Sequence, residues 1–310
     1  MNSKQGQTVR EALEWAQERF EAYGVENPRL ASQWLLEAVT GLSRAEISVA
    51  CDLALRDEQH AALADGIKCH VAGEPLQYIL GKAPFRYLEF KVRPGVLIPR
   101  PETEILVDAV ITELRALRVS RTSARRAARV LDLCTGTGCI AFSLLYECPD
   151  VRLVATDIDP AAIELARENS RDLGLDGEER LIILADDLAT SLLANAANRG
   201  SFDVVVSNPP YIPTAELNKL PLEITNYEPR RALDGGEDGL KIFRRIVEQA
   251  VLLLRPGGLL ACELHETTLE EAKAICEAAG FSDTHIHPDL TNRPRIVTAR
   301  NRRVSHPIPF

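Results

Sequence analysis

The chain has 310 residues, of which 45% are hydrophobic and 5% aromatic, and this composition is typical of a globular protein with one large or two modest domains. Its net charge of −9 argues against tight, sequence-independent binding to nucleic acid, so no stable nucleic-acid partner is expected. The longest apolar runs, such as AVLLL at 250–254, are far shorter than the roughly 18 residues of a membrane span, and no membrane association is expected.

The cysteines and the first residues predict a cytoplasmic location. Seven cysteines, without the spacing of a disulfide framework, indicate reduced thiols. Residues 1–15 lack the apolar core of a secretory signal. Because the cysteines and histidines follow no metal-ligand template, no metal site is expected.

Residues 1–75 are predicted to form a small bundle of four or five helices. Thr8 with Glu11 and Ser43 with Glu46 have the spacing of capping boxes. Three further boundary residues are predicted, namely N-caps at Asn27 and Asp57 and a stop at Gly24. This region has no cluster of His, Cys or carboxylate residues with catalytic spacing, so we expect it to act in packing and in docking a substrate.

Residues 76–99 are predicted to form a β-hairpin linker to a second domain at 100–310. Apolar residues alternate with polar ones from Leu88 to Val92, and Arg93-Pro94-Gly95 supplies a turn. RPETE at 100–104 then places Pro101 at the start of a helix. The basic stretch at 118–129 is predicted to be a solvated loop or a frayed helix end.

From Arg129 onward, apolar strands alternate with helices, which predicts an α/β fold with a mostly parallel sheet covered on both faces. Ligands of such sheets bind beyond the carboxyl ends of the strands. The residues to consider there are those at predicted strand ends, namely Asp132–Gly138, Asp157, Asp187 and Asn208.

The first strand end, DLCTGTG at 132–138, resembles a cofactor-binding loop. Gly136 and Gly138 lack a β-carbon that would obstruct a ligand, although a tight turn alone also explains two glycines. Asp157 follows Gly138 by nineteen residues, where its carboxylate can accept hydrogen bonds from ribose hydroxyls. The spacing predicts a nucleoside-containing cofactor and leaves NAD and S-adenosylmethionine open.

Two details favour S-adenosylmethionine. The loop reads D-x-x-x-G-x-G and lacks the full dinucleotide pattern. ADDL at 185–188 offers Asp187 to the adenine amino group and Leu188 to the ring. The pattern resembles the class I S-adenosylmethionine-dependent methyltransferases, which are Rossmann-like. This resemblance implies a seven-stranded sheet that ends in an antiparallel pair, at 283–290 and 295–301.

The segment SNPPYIP at 207–213 stops an apolar strand abruptly. It resembles the NPPY motif of methyltransferases that modify conjugated nitrogens of bases or side-chain amides. The Asn208 side-chain oxygen and the Pro209 carbonyl can accept hydrogen bonds from a planar NH2 group. Pro209 and Pro210 stiffen the loop, and Tyr211 can pack on a flat group. The alternative is a plain strand breaker, and the motif alone leaves bases and amides open.

Three flanking segments separate these substrates, namely GEPLQYILGKAPF, VLIPRPETE and YEPRRALDGGEDGL. They resemble the peptide chain release factor glutamine methyltransferases, the HemK/PrmC family, over nearly the whole chain. The resemblance implies methylation of the glutamine in the GGQ motif of class 1 release factors. It also implies that Asn208–Tyr211 hold the glutamine and that Arg100–Glu104 line the cofactor side. The implied cofactor residues are Cys134, Thr135, Gly136, Thr137, Gly138, Asp157, Leu188 and Asn208.

Three positions depart from the family pattern. Cys134 stands where many relatives have glycine, so this backbone position is expected to need no positive φ. Leu188 replaces a residue that is often aromatic, which is expected to weaken adenine stacking. Glu263 matches an acidic strand end, but His265 in ELHE replaces a usual glycine and is expected to alter the local turn.

Three rival functions stay open at this point. A glutamine methyltransferase acting on a ribosomal protein would share NPPY, although VLIPRPETE and the YEP segment favour release factors. An adenine amino-methyltransferase would need a basic face, which the acidic composition does not favour. A non-enzymatic, cofactor-sensing scaffold would not require Asp157 or the residues Asn208–Tyr211.

Overall fold

The structure, a computed structural model, describes residues 6–120, 127–177 and 179–302. Part of the predicted loop at 118–129, residues 121–126, lies outside the described residues. The chain divides into two compact units. One comprises Met1–Lys82 with Leu222–Tyr227, and the other comprises Ala83–Pro221 with Glu228–Phe310.

The first unit is helical, as predicted. Its core includes Phe20, Leu35, Leu36 and Leu63, each at most 2% exposed. In chain order its first five helices are α1 (Val9–Ala22), α2 (Pro28–Thr40), α3 (Arg44–Val49), α4 (Asp57–Val71) and α5 (Leu76–Leu80).

Local sequence signals account for three of these helix ends. Both predicted capping boxes, at Thr8 and Ser43, are confirmed, since each side chain accepts an N3 amide and each N3 glutamate reaches back. Gly24, in the left-handed region at φ 70°, follows the end of α1 as predicted.

The predicted N-cap at Asn27 is confirmed in position, because Asn27 is the N-cap residue of α2 and Pro28 is the first residue of that helix. The Asn27 backbone is left-handed, with φ 51°, and its side chain makes no capping hydrogen bond. The predicted N-cap at Asp57 is wrong, because Asp57 is the first residue of α4 and Arg56 is the N-cap residue. The Asp57 carboxylate therefore stabilises the helix from its first turn, through the helix dipole.

The second unit begins with a two-stranded hairpin, β1 (Lys82–Phe85) and β2 (Leu88–Lys91). The hairpin is confirmed, and Arg93-Pro94-Gly95 form a turn as predicted. This turn is not the turn of the hairpin, because the chain reverses between β1 and β2 at Arg86 and Tyr87. Pro84 is tolerated within β1 because both strands of a two-stranded sheet are edge strands. The following helix begins at Thr103 and not at Pro101, because residues 100–102 form turns before it.

The remaining strands form the predicted seven-stranded mixed sheet, in the order β5-β4-β3-β6-β7-β9-β8. Its strands are β3 (Ala128–Leu133), β4 (Val151–Asp157), β5 (Leu181–Ala185), β6 (Phe202–Ser207), β7 (Leu254–Glu263), β8 (Phe281–Pro288) and β9 (Pro294–Asn301). Strands β3 to β7 pair in parallel, and β9 pairs antiparallel with β7 and with β8.

Helices cover both faces of this sheet, which explains why its central strands β3 and β6 are apolar and buried without alternation. Val130 and Val204 belong to one buried cluster, whereas their chain neighbours Leu131 and Val205 belong to another on the opposite face. The helices from this part of the chain are α6 (Thr103–Ser120), α7 (Cys139–Glu147), α8 (Pro160–Asp172), α9 (Thr190–Ala194), α10 (Leu222–Tyr227, counted with the first unit), α11 (Arg230–Leu233), α12 (Lys241–Leu253) and α13 (Leu269–Ala278).

The strand order reverses between β3 and β6, and this reversal positions the site. Leu133 of β3 pairs with Thr156 of β4 on one side and with Ser207 of β6 on the other. The loop after β3 therefore lies between Asp157 and Asn208, at the switch point where α/β sheets bind ligands. Within the described part of the chain, no helix is long and apolar enough to cross a membrane.

Candidate active site

The loop after β3 is held to β4 by Asp157. One carboxylate oxygen of Asp157 accepts the Gly136 N–H at 2.9 Å, and the other accepts the Asp159 N–H at 2.9 Å. Burial raises the pKa of Asp157, and these backbone donors oppose that shift. Each oxygen has a further lone pair that can accept a hydrogen bond from a hydroxyl group. The carboxylate can therefore bind a ribose and hold the loop at the same time.

Beneath this loop, Asp132 supports the turn from the buried end of β3. Thr135 donates its hydroxyl hydrogen to Asp132 at 2.6 Å. Complete burial is the main reason that the pKa of Asp132 is raised to about 7, and the Thr135 hydrogen bond acts in the opposite direction. The base of the loop therefore contains a carboxyl group that titrates near neutral pH.

The two glycines of the loop have different tasks. A β-carbon on Gly136, at φ 57°, would meet no other atom within 4 Å, so this residue faces open space where a ligand can approach. A β-carbon on Gly138, at φ 85°, would collide with the Phe142 ring. Gly138 is therefore required by the packing of α7, whereas the role of Gly136 in admitting a ligand stays a prediction.

The expectation for Cys134 is wrong, because its φ is 59° and lies in the left-handed region. A residue with a β-carbon is strained there by about 1–2 kcal/mol. Cys134 packs against the buried cluster on one face of the sheet, and this packing offsets the strain. Leu188 has a similar backbone conformation, with φ 56°. Two strained residues thus border the same cavity, and such strain is typical of functional sites.

The acidic end of β5 is arranged by an ion pair. Arg245 on α12 donates to Asp187 at 2.8 Å, so the Asp187 carboxylate has a fixed orientation. Leu188 is 5% exposed, and this small exposed surface lines the cavity beside Asp187. The predicted contacts of these two residues with adenine stay predictions.

Four residues from three elements form a hydrogen-bonded chain around the NPPY segment. The Asn208 side-chain NH2 donates to the Thr103 hydroxyl at 3.0 Å, and Thr103 donates to Glu263 at 2.7 Å. The Tyr211 hydroxyl donates to the other Glu263 oxygen at 3.1 Å. Burial raises the pKa of both Glu263 and Tyr211. Neither Thr103 nor Glu263 was singled out from the sequence as a partner of Asn208.

The glycine-rich segment LDGGEDGL, at 233–240, binds the residue directly after the NPPY segment through backbone hydrogen bonds. The Ile212 N–H donates to the Leu233 carbonyl and the Gly235 N–H donates to the Ile212 carbonyl, each at 2.9 Å. A β-carbon on Gly235 would lie 2.7 Å from the Tyr211 α-carbon. The glycines of this segment are the sequence signal for that close approach.

After β7, His265 takes part in a turn that leads into α13. Its carbonyl accepts the Thr268 N–H at 3.0 Å, and its ring nitrogen Nδ1 lies 2.8 Å from the Thr267 hydroxyl. A side chain at this position is therefore accommodated by local hydrogen bonds.

Most of the predicted site residues line one cavity of about 470 Å³, a size typical of small-molecule sites. Arg100 and Thr103 of RPETE line it as well. Gly138, Pro209 and Tyr211 do not belong to its lining. The predicted residues that do line it are Cys134, Thr135, Gly136, Thr137, Asp157, Asp187, Leu188, Asn208 and Pro210.

An adenosine-containing methyl donor fits this cavity by the chemistry of its wall. Gly136 opens the backbone to a ligand, Asp157 offers carboxylate acceptors for a ribose, and Leu188 offers apolar surface. Among the described residues, no group of three or more His, Cys, Asp or Glu side chains could hold a metal ion.

The sheet order, the loop after β3 and the acidic strand ends define a class I methyltransferase. Residues 112–223 match the family model described as the methyltransferase small domain, and residues 11–81 match the PrmC N-terminal domain. The chain is 40% identical to the release factor glutamine methyltransferase of Geobacter sulfurreducens, covering 94% of this chain and 96% of that protein. The chain therefore belongs to the release factor glutamine methyltransferase family.

Further similarities agree with this assignment. The release factor glutamine methyltransferase of Moorella thermoacetica is 41% identical over 95% of this chain and 99% of its own length. The crystal structure of the hMettl16 catalytic domain in complex with MAT2A 3'UTR hairpin 6 has a TM-score of 0.53 and 16% identity. It covers 81% of this chain and 84% of that chain, and the likeness is one of fold alone.

Proposed function

We propose that this protein methylates the side-chain amide nitrogen of the glutamine in the GGQ motif of class 1 peptide chain release factors, with S-adenosyl-L-methionine as the methyl donor. The observation that carries the proposal is the position of the Asn208 amide in a cavity whose wall suits adenosine, in a chain of this family.

On the donor side, the loop Cys134–Gly138 and Asp157 would hold the ribose and the amino-acid portion, and Asp187 with Leu188 would hold the adenine. When bound, S-adenosylmethionine supplies a methyl group that its sulfonium already activates. The task of the protein is therefore to hold the acceptor nitrogen in line with that methyl group.

On the acceptor side, the amide nitrogen of glutamine is a poor nucleophile because its lone pair is delocalised. The Asn208 side-chain oxygen and the Pro209 carbonyl would accept the two hydrogens of its NH2 group, which fixes the plane of the amide. As the nitrogen bonds to the methyl carbon, the bond from that carbon to the sulfonium sulfur would break and its electron pair would stay on the sulfur, which becomes a neutral thioether. Positive charge would develop on the nitrogen and its hydrogens, and the two acceptors would stabilise it. The nitrogen would then release one proton to water, so this mechanism assigns no dedicated base.

The helical region at 1–75 is proposed to dock the release factor, with 76–99 as the linker and 100–310 as the methyltransferase domain. This division is supported by the separate match of residues 11–81 to the PrmC N-terminal domain. A release-factor substrate places the reaction in the cytoplasm. Stable binding to nucleic acid is not part of the proposed reaction.

Transfer of a radiolabelled methyl group tests this function. The purified enzyme is incubated with labelled S-adenosylmethionine and one of four acceptors: a class 1 release factor, the same factor with its GGQ glutamine changed to alanine, ribosomal proteins, or total RNA. We expect label in the unaltered release factor alone. Label in ribosomal protein or RNA, or label that survives loss of the glutamine, would support a rival function instead.

A further inference from the structure

Thr103 and Glu263 form a buried pair behind the proposed substrate-binding amide. They are separated by 160 residues in the chain, yet their side chains lie 2.7 Å apart. Thr103 is 2% exposed and Glu263 is 1% exposed. Burying a carboxylate carries a large desolvation cost unless hydrogen bonds compensate for it, so the pair requires an explanation beyond packing.

We propose that Thr103 and Glu263 are positioning residues that hold the Asn208 amide with its oxygen turned toward the substrate. Their role depends on the proposed function of Asn208, since a fixed oxygen matters only if the substrate NH2 group donates to it. Glu263 does not line the cavity, so it acts through Thr103 and Tyr211.

The direction of the hydrogen bonds carries this proposal. In the structure, the Thr103 and Tyr211 hydroxyl groups both donate to Glu263, which is the only direction open to them when the carboxylate is ionised, since an ionised carboxylate can only accept. Thr103 has one hydroxyl hydrogen, and once this is donated its oxygen can only accept from Asn208. The Asn208 atom that faces Thr103 must therefore be the NH2 nitrogen, at 3.0 Å. The amide oxygen then points the other way.

The same logic explains why this arrangement selects a donor substrate. An asparagine amide that is free to rotate presents its NH2 group or its oxygen with similar ease. Only the oxygen can accept from a glutamine NH2 group. A flipped Asn208 would direct its NH2 group at the NH2 group of the substrate, so that two donors would face each other and repel. The Glu263–Thr103 pair excludes this flipped state, because Asn208 donates to Thr103 and Thr103 donates to Glu263.

Steady-state kinetics of Thr103 variants test the proposal. Thr103→Val keeps the shape of the side chain but removes the hydroxyl, and we expect kcat to fall about 10-fold to 100-fold, as when an outer partner of a reacting group is lost. Thr103→Ser restores the hydroxyl and should recover most of the rate. Thr112→Val is the matched control, because the Thr112 hydroxyl bonds only the Asp108 carbonyl on the exposed side of the same helix.

A double variant separates positioning from a general structural effect. If Thr103 acts through Asn208, the pair Thr103→Val with Asn208→Ala should be no slower than Asn208→Ala alone. Losses that add, or a Thr103→Val enzyme with unchanged kcat, would overturn the proposal. Cofactor affinity measured by calorimetry should stay near that of the wild type in Thr103→Val.

A measurement without substrate keeps this proposal distinct from the proposed function. Hydrogen exchange of the Asn208 side-chain NH2 group, assigned in ¹⁵N spectra by its absence in Asn208→Ala, should be slow in the wild type and in Thr103→Ser and fast in Thr103→Val. Equal exchange in all three would refute the pair's role. If the wild type does not methylate the release factor, the proposed function fails, while this exchange experiment still decides whether the pair fixes the amide.

Discussion

Replacement of Asp157 by alanine is expected to weaken cofactor binding strongly. The carboxylate holds the Gly136 N–H and the Asp159 N–H, and it is the proposed acceptor for two ribose hydroxyls. Each hydrogen bond to a charged group contributes about 1.5–3 kcal/mol. We take the lower end, because burial already penalises this carboxylate, as its raised pKa indicates. Two lost bonds then amount to about 3 kcal/mol, or about a 100-fold increase in Kd.

Calorimetric titration with S-adenosylmethionine measures this loss directly. Asp186→Ala is the control, because Asp186 directly follows the neighbouring strand β5, bonds Ser191 and does not line the cavity. Asp157→Asn should not rescue binding, since its NH2 group would face one of the two backbone N–H donors. A Kd for Asp157→Ala within about threefold of the wild type would refute the assignment of Asp157 as the ribose acceptor.

Three further outcomes are expected. Asn208→Ala should lower kcat by about 100-fold, as expected for the loss of one charge-stabilising group, and should leave the cofactor Kd nearly unchanged. An unchanged kcat with a raised cofactor Kd would contradict the role of Asn208. Gly138→Ala should lower the free energy of unfolding by about 2–4 kcal/mol in urea titrations followed by circular dichroism, because the methyl group meets Phe142 at a left-handed φ; an unchanged midpoint would argue against this packing. The Asp132 carboxyl has a pKa of about 7 when folded and an ordinary value of 3.8, so the unfolded chain releases this proton first as the pH rises. The free energy of unfolding of the wild type should therefore fall relative to that of Asp132→Asn between about pH 4 and pH 7, by up to about 4 kcal/mol. If urea titrations show a constant difference in this free energy between the two proteins across the range, the buried carboxyl is contradicted.

The sheet was predictable because parallel strands buried on both faces are apolar along their whole length. Strands such as Phe202–Ser207 need no long-range information to be recognised. The carboxyl ends of parallel strands lie at one edge of the sheet, so Asp157 and Asn208 could be placed at that shared edge from the sequence alone.

Features that depend on distant contacts were not predictable. The positive φ of Cys134 is tolerated because the residue packs in a cluster assembled from the whole sheet. The contact of Thr103 with Glu263 joins residues 160 positions apart, and no local pattern reports it. The hairpin turn was placed wrongly because a proline at position 84 is atypical of a strand such as β1. Pro94 and Gly95, in contrast, have the composition that is typical of a hairpin turn.

Mass spectrometry of the release factor after reaction shows which residue carries the methyl group. After reaction with S-adenosylmethionine, the factor is digested and the peptide that contains GGQ is fragmented. We expect one added methyl group on the side-chain amide of that glutamine, absent when the enzyme carries Asn208→Ala. A methyl group on any other residue, or an unmodified GGQ peptide after reaction with active enzyme, would contradict it.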